Sequence, residues 1–110
     1  MDLEIRYCDG FFSHLIGLMF HPPLSPRDGI LLAQQHESQI EAGIHMFFMR
    51  TDLTIVWLNS DKVVVDKVLA KRWRPYYIPS KPALYVLECS HLRYNDFKIG
   101  DELDFQELVM

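Results

Sequence analysis

Long apolar runs are missing from this chain. No stretch reaches the roughly 18 consecutive apolar residues that a membrane-spanning helix needs. The amino terminus, Met1-Asp2-Leu3-Glu4, carries acid where a signal peptide carries base, and no apolar segment follows it. Cysteine is scarce too, with only Cys8 and Cys89. Two cysteines without a leader predict free thiols in a reducing cytoplasm, not a disulfide scaffold. Basic charge is in short supply: 11 Lys and Arg face 15 Asp and Glu, a net charge of −4. A general nucleic-acid binder is usually basic, so that class is disfavoured. A glycine-rich phosphate loop, C-x-x-C and H-E-x-x-H are all absent. Their absence removes nucleotide hydrolysis by the phosphate-loop route and the commonest zinc arrangements. His14, His21, His36, His45 and His91 fall in different segments without ligand spacing, so neither a metal nor a cofactor is expected.

What is present suits one globular domain over residues 1–110, with 49% hydrophobic and 24% charged residues. Leu3 to Tyr7 alternates apolar and polar, the period of a half-buried strand. Phe12, Leu15, Ile16 and Met19 share one helical face, which predicts a short helix over 11–20, stopped by Pro22-Pro23. Ile30 to Ala33 reads as a short buried strand and Gln34 to Glu41 as a polar loop. His45 to Met49 is apolar and reads as extended. Leu53 to Leu58 is rich in β-branched and aromatic residues, Asn59-Ser60-Asp61 is a turn, and Val63 to Leu69 runs back as a hairpin partner. The proline-rich stretch 71–82 reads as irregular, 83–88 as a strand, and Ser90 as the cap of one helical turn. Ile99-Gly100-Asp101 is a tight turn before a last strand through Leu103 and Phe105. The expected fold is mainly β (α+β): a small, mostly antiparallel barrel or sandwich of six to seven short strands with one or two short helices.

Charge is unevenly placed. Lys62, Lys67, Lys71, Arg72, Arg74 and Lys81 cluster in one stretch opposed only by Asp66, while the last fifteen residues are acidic. Inside the basic stretch, Arg72-Trp73-Arg74-Pro75-Tyr76-Tyr77 combines guanidinium forks, which bind carboxylate or phosphate, with flat aromatic faces. In an extended segment Trp73 would face away from both arginines and wall a groove. The alternative is that Trp73 plugs a barrel end while the arginines pair with Glu88 or the acidic carboxy terminus. His45 and Arg50 flank Met46-Phe47-Phe48-Met49; as polar ends of an apolar strand they either orient a ligand at a cavity mouth or simply reach water. The candidate ligand residues are therefore His45, Arg50, Arg72, Trp73, Arg74, Tyr76, Tyr77 and Glu88. None of them is assigned a catalytic role.

Several segments are familiar in order and spacing. Gly17-Leu18-Met19-Phe20, Gly29-Ile30-Leu31-Leu32, His45 to Arg50, Arg72 to Pro75, Ala83 to Glu88 and Ile99-Gly100-Asp101 resemble an uncharacterised family, domain of unknown function 192, from about Leu3 to Phe105. The resemblance implies a compact, mostly β domain and no established reaction. The chain departs from the family pattern at several places. Ser13 to Ile16 lacks the usual arginine, Thr54 stands where an aspartate is usual, and Ser80 follows Pro79 where a cysteine is common.

Three readings of function follow. The first is a non-enzymatic module for a small anionic or planar ligand. The second is an enzyme using a pocket His45 and Glu88, against which no acid–base constellation can be read from the residue order. The third is a protein or nucleic-acid partner using the basic 62–81 face. Oligomeric state is not legible.

Overall fold

The described strands lie where the alternating and β-branched segments of the sequence lie. The computed structural model describes residues 4–8, 28–40, 42–44, 46, 51–74 and 76–103. They form β1 (Glu4–Cys8), β2 (Asp28–Ser38), β3 (Leu53–Leu58), β4 (Val64–Ala70) and β5 (Ala83–Ser90), followed by a 3-10 helix, His91–Asp96. The five strands make one sheet in the order β1-β2-β5-β3-β4. β1 and β2 run parallel and the other three pairings are antiparallel.

The mainly β, mostly antiparallel expectation therefore holds, with a correction to its closure. β1 and β4 are edges, and the sheet is open rather than rolled into a barrel. Beyond the five strands the described residues add two isolated bridges, Ile44 with Tyr77 and Val63 with Glu102. Among the described residues the final alternating segment contributes the bridge at Glu102; Phe105 lies outside the described residues, as does the expected helix over 11–20.

β2 is the other correction, because the loop expected from Gln34 is strand as far as Ser38. An irregularity between Ala33 and Ser38 shifts the register, and Ser38 pairs with Ala83 beyond it. Polar residues suit this end because Ala33, His36 and Glu37 face solvent.

The β3–β4 hairpin follows from its turn. Asn59 Oδ1 accepts from the amides of Asp61 and Val63 at 2.9 and 3.1 Å. Lys62 then takes a left-handed φ of 63°, and a register shift follows between Trp57 and Leu58. This is the three-residue hairpin loop with a bulge, in which Asn supplies the side-chain bonds that a main-chain turn would otherwise lack.

All six residues of β3 are buried, so the sheet is covered on both faces. One face carries Leu32, Leu53, Ile55, Trp57 and Val86, packed against Ala42, Ile44 and Met46. The buried Trp57 indole donates to Ala42 O at 2.7 Å and ties that covering segment down. The other face carries Leu31, Val56, Leu58, Val64, Leu87 and Cys89 against Phe97. Ser90 Oγ caps the 3-10 helix by accepting from the Leu92 amide. At its far end Lys67 Nζ donates to the carbonyls of Tyr94 and Phe97 at 3.0 and 2.8 Å, and sits 4.0 Å above the Tyr94 ring. A cation there satisfies carbonyls that the helix end leaves bare. Among the described residues no helix is long and apolar enough to cross a membrane.

Candidate functional site

The hairpin register builds the site. Leu53 pairs with Ala70, which brings Asp52 beside the residues that leave β4. Asp52 Oδ1 accepts from the Arg72 amide at 2.9 Å and from Arg72 Nε at 3.1 Å, and Oδ2 lies 3.4 Å from Lys71 Nζ. The Arg72 amide bond is the chief cause that holds the Asp52 carboxyl below its ordinary value of 3.8; partial burial opposes it, and the Arg72 and Lys71 side chains add to the lowering.

Asp52 thereby pins the start of a turn. The Arg74 amide donates to Lys71 O at 3.3 Å, and Trp73 in the third position has a φ of +68°. That is the type II signature, a place usually taken by Gly or Asn. The segment is thus a turn, and the alternation expected of an extended chain does not apply at Trp73. The other side of the turn is pinned as well: the Trp73 amide donates to Met46 O at 2.7 Å, and the Met46 amide to Arg74 O at 3.0 Å. The Lys71 amide donates to the Tyr77 hydroxyl at 2.8 Å, and Arg74 lies 5.9 Å from the Tyr77 ring centre.

Trp73 is 55% exposed, so it is not the plug of a barrel end. Tyr76 is also exposed, donates from its hydroxyl to Ile40 O at 3.1 Å, and lies over Gly43, where a Cβ would collide with its ring and oxygen. Glycine at 43 is what lets the ring lie there.

The structure therefore gathers Arg72, Trp73, Arg74, Tyr76 and Tyr77 at one corner. Glu88 is 2% exposed, in the middle of β5 between Ile30 and Ile55. His45 and Arg50 lie outside the described residues. Sequence reasoning missed Asp52, and it placed Lys71 in the basic stretch but not among the candidate ligand residues. The signal was available in the hairpin: an acid just before one strand faces whatever follows the other.

Thr54 is fully buried opposite Cys89, and its hydroxyl has no hydrogen-bond partner among the described residues. Cys89 is a free thiol, and burial pushes its pKa up to about 12. It behaves as a small apolar side chain, without thiolate reactivity. Among the described residues no three His, Cys, Asp or Glu side chains gather to hold a metal ion.

With this geometry in place, comparison with other proteins is informative. A UPF0127 protein of Pyrococcus furiosus is 33% identical over 109 residues, covering 97% of this chain and 90% of its own length. A UPF0127 protein of Thermococcus sibiricus is 33% identical over 105 residues, covering 94% of this chain and 66% of its own length. A crystal structure of a protein of unknown function from Novosphingobium aromaticivorans superposes with a TM-score of 0.79, at 19% identity, over 93% of this chain and 74% of that one. This last likeness is one of fold. The family model described as "Uncharacterized ACR" matches residues 1–105, which takes in β1 through β5, the helix after them and the whole basic turn. The chain belongs to this family, domain of unknown function 192.

Proposed function

We propose that the domain is a binding module that takes a small planar anion at the Lys71–Arg74 turn. The observation that carries the reading is Trp73, a bulky residue held at φ +68° and more than half exposed. A left-handed conformation costs a side-chain-bearing residue roughly 1–2 kcal/mol. An exposed indole does not repay that through core packing, and strain of this kind gathers at functional sites. The exposed Arg74 and Lys71 supply charge for an anion, and Trp73 and Tyr76 supply flat faces.

Binding suits the corner better than catalysis does. Its carboxylate, Asp52, is held ionised by the Arg72 amide, well away from the near-neutral pKa that a general acid or base needs.

The test uses the indole itself. Of the two tryptophans, Trp57 is buried and Trp73 exposed, so a ligand at the turn changes the Trp73 emission. Benzoate and adenosine monophosphate, as planar anions, should quench it saturably, and Arg74→Gln should weaken both at least about tenfold. A response that stays linear up to about 10 mM, corresponding to less than about 3 kcal/mol of affinity, overturns the reading.

A further inference from the structure

The segment after the turn has an edge that the small-ligand reading leaves unused. Ile44 and Tyr77 exchange both main-chain hydrogen bonds, at 2.9 and 2.8 Å. In an antiparallel pairing the neighbours of such a residue turn their N–H and C=O groups to the opposite side. The amides of Tyr76 and Ile78 accordingly have no hydrogen-bond partner among the described residues. Among the described residues the covering layer therefore ends here in a strand edge without main-chain partners.

Apolar surface gathers along the same edge. Tyr76 and Ile78 are each 49% exposed and Ile40 is 75% exposed. Two bonds hold Ile40 against them: Tyr76 Oη to Ile40 O and Gln39 Nε2 to Pro79 O, both 3.1 Å. Single exposed apolar residues are ordinary, but a group beside a bare main-chain edge is the arrangement that strand addition uses. Pro79 closes the edge at its far end, as prolines do where pairing must stop.

Charge selects the occupant. Between residues 71 and 81 the chain carries Lys71, Arg72, Arg74 and Lys81 and no acid, in a protein of net charge −4; Asp52 pairs with the first two, which leaves a net positive strip. A positive strip on a negative molecule repels a second copy through the remainder of its surface and attracts an acidic segment. We propose that the Tyr76–Ile78 edge accepts an extended acidic peptide of a partner protein as an added strand. Tyr76, Ile78 and Ile40 take its alternate apolar side chains, and Arg74 meets a carboxylate. This inference shares Arg74 and Tyr76 with the small-ligand reading but rests on the main-chain edge and on Ile78, which that reading does not use.

The probe is a fluorescein-labelled peptide, Glu-Leu-Glu-Val-Glu-Leu, followed by anisotropy. It should bind saturably, and Ile78→Asp, an exposed change that leaves the core intact, should weaken it at least about tenfold. Strand addition makes a sharper demand. Of two peptides N-methylated at alternate residues, one set blocks the hydrogen bonds and should lose binding, while the other should retain it. Lack of binding to the unmodified peptide at about 1 mM overturns the proposal. So does equal binding of the two methylated peptides, or an Ile78→Asp variant that binds as well as the parent. Sedimentation showing that the protein pairs with itself through this edge assigns the surface to a second copy and overturns the partner-peptide assignment. Benzoate quenching of Trp73 should be untouched in Ile78→Asp, so failure of one proposal leaves the other readable.

Discussion

β3 and the turn after β4 lie against each other and obey different rules. β3 places six residues in sequence, all buried, with β-branched and aromatic side chains doing what a doubly covered strand requires. The turn places Lys71, Arg72, Trp73 and Arg74 in sequence, all exposed, with the largest of them in a backbone conformation that favours glycine. Trp57 and Trp73 show the contrast within one residue type. Trp57 is enclosed and donates its indole N–H to a carbonyl, while Trp73 stands open on a strained turn. Burial explains the first without reference to any function. Core packing does not account for the second, whose backbone is held by a hydrogen bond to Met46 and, through its neighbour Arg72, by one to Asp52.

The contrast breaks most visibly by truncating both. Trp57→Ala should destabilise by about 3–5 kcal/mol, since it empties a core site and releases the Ala42 carbonyl. Trp73→Ala should change stability by no more than about 0.5 kcal/mol. Chemical denaturation of the two variants measures the difference, and similar losses would erase the distinction.

Trp73→Gly sharpens it. Removing the left-handed penalty should raise stability by about 1 kcal/mol, against the usual effect of introducing glycine. The same variant should lose the benzoate response, so a gain in stability accompanies a loss of binding. A destabilised Trp73→Gly would show that the indole supports the fold.

Thr54→Val probes the buried side. The Thr54 hydroxyl has no partner among the described residues, and valine keeps the shape while deleting the oxygen. A buried unsatisfied hydroxyl costs about 1–3 kcal/mol, so thermal unfolding should move up by several degrees, for a gain near 1 kcal/mol. Asp52→Asn gives the smallest effect, seen only in acid. Asp52 has a lowered pKa in the folded state, so its contribution is fully present above the unfolded value of 3.8 and is lost as pH falls through the lower folded value. The wild type should therefore lose stability more steeply than Asp52→Asn as pH drops below about 4, and parallel acid limbs would contradict the clamp.

The hairpin was the most legible part of the fold, because Asn59 and the β-branched runs around it specify a turn locally. The last residues of β2 were not legible. Gln34 to Ser38 is polar, and only the distant partner Ala83 makes its end a strand. The open sheet was hidden for the same reason: short alternating strands look alike whether they close into a barrel or stop at an edge. At the site, Arg72 to Tyr77 stood out by composition, while the conformation of Trp73 did not, because nothing in the residue itself announces a positive φ. Asp52 was visible as a residue and invisible as a clamp until the 53–70 register fixed its neighbour.

The strand order has a consequence for how the chain comes to be folded. β5 lies between β2 and β3, yet it is the last of the five to be synthesised. At about 5–20 residues per second, the roughly fifty residues from Ser38 to Ser90 take several seconds to emerge. Throughout that interval the β3–β4 hairpin can zip up from its own turn, but the inner edges of β2 and β3 have nothing to pair with. β2 presents Ile30, Leu31 and Leu32 and β3 presents Leu53, Ile55, Val56 and Leu58, and both stay sticky until one late segment slots between them. The molecule is thus completed from its middle. A nascent chain stalled before residue 83 should be the form most prone to aggregate and most in need of a chaperone.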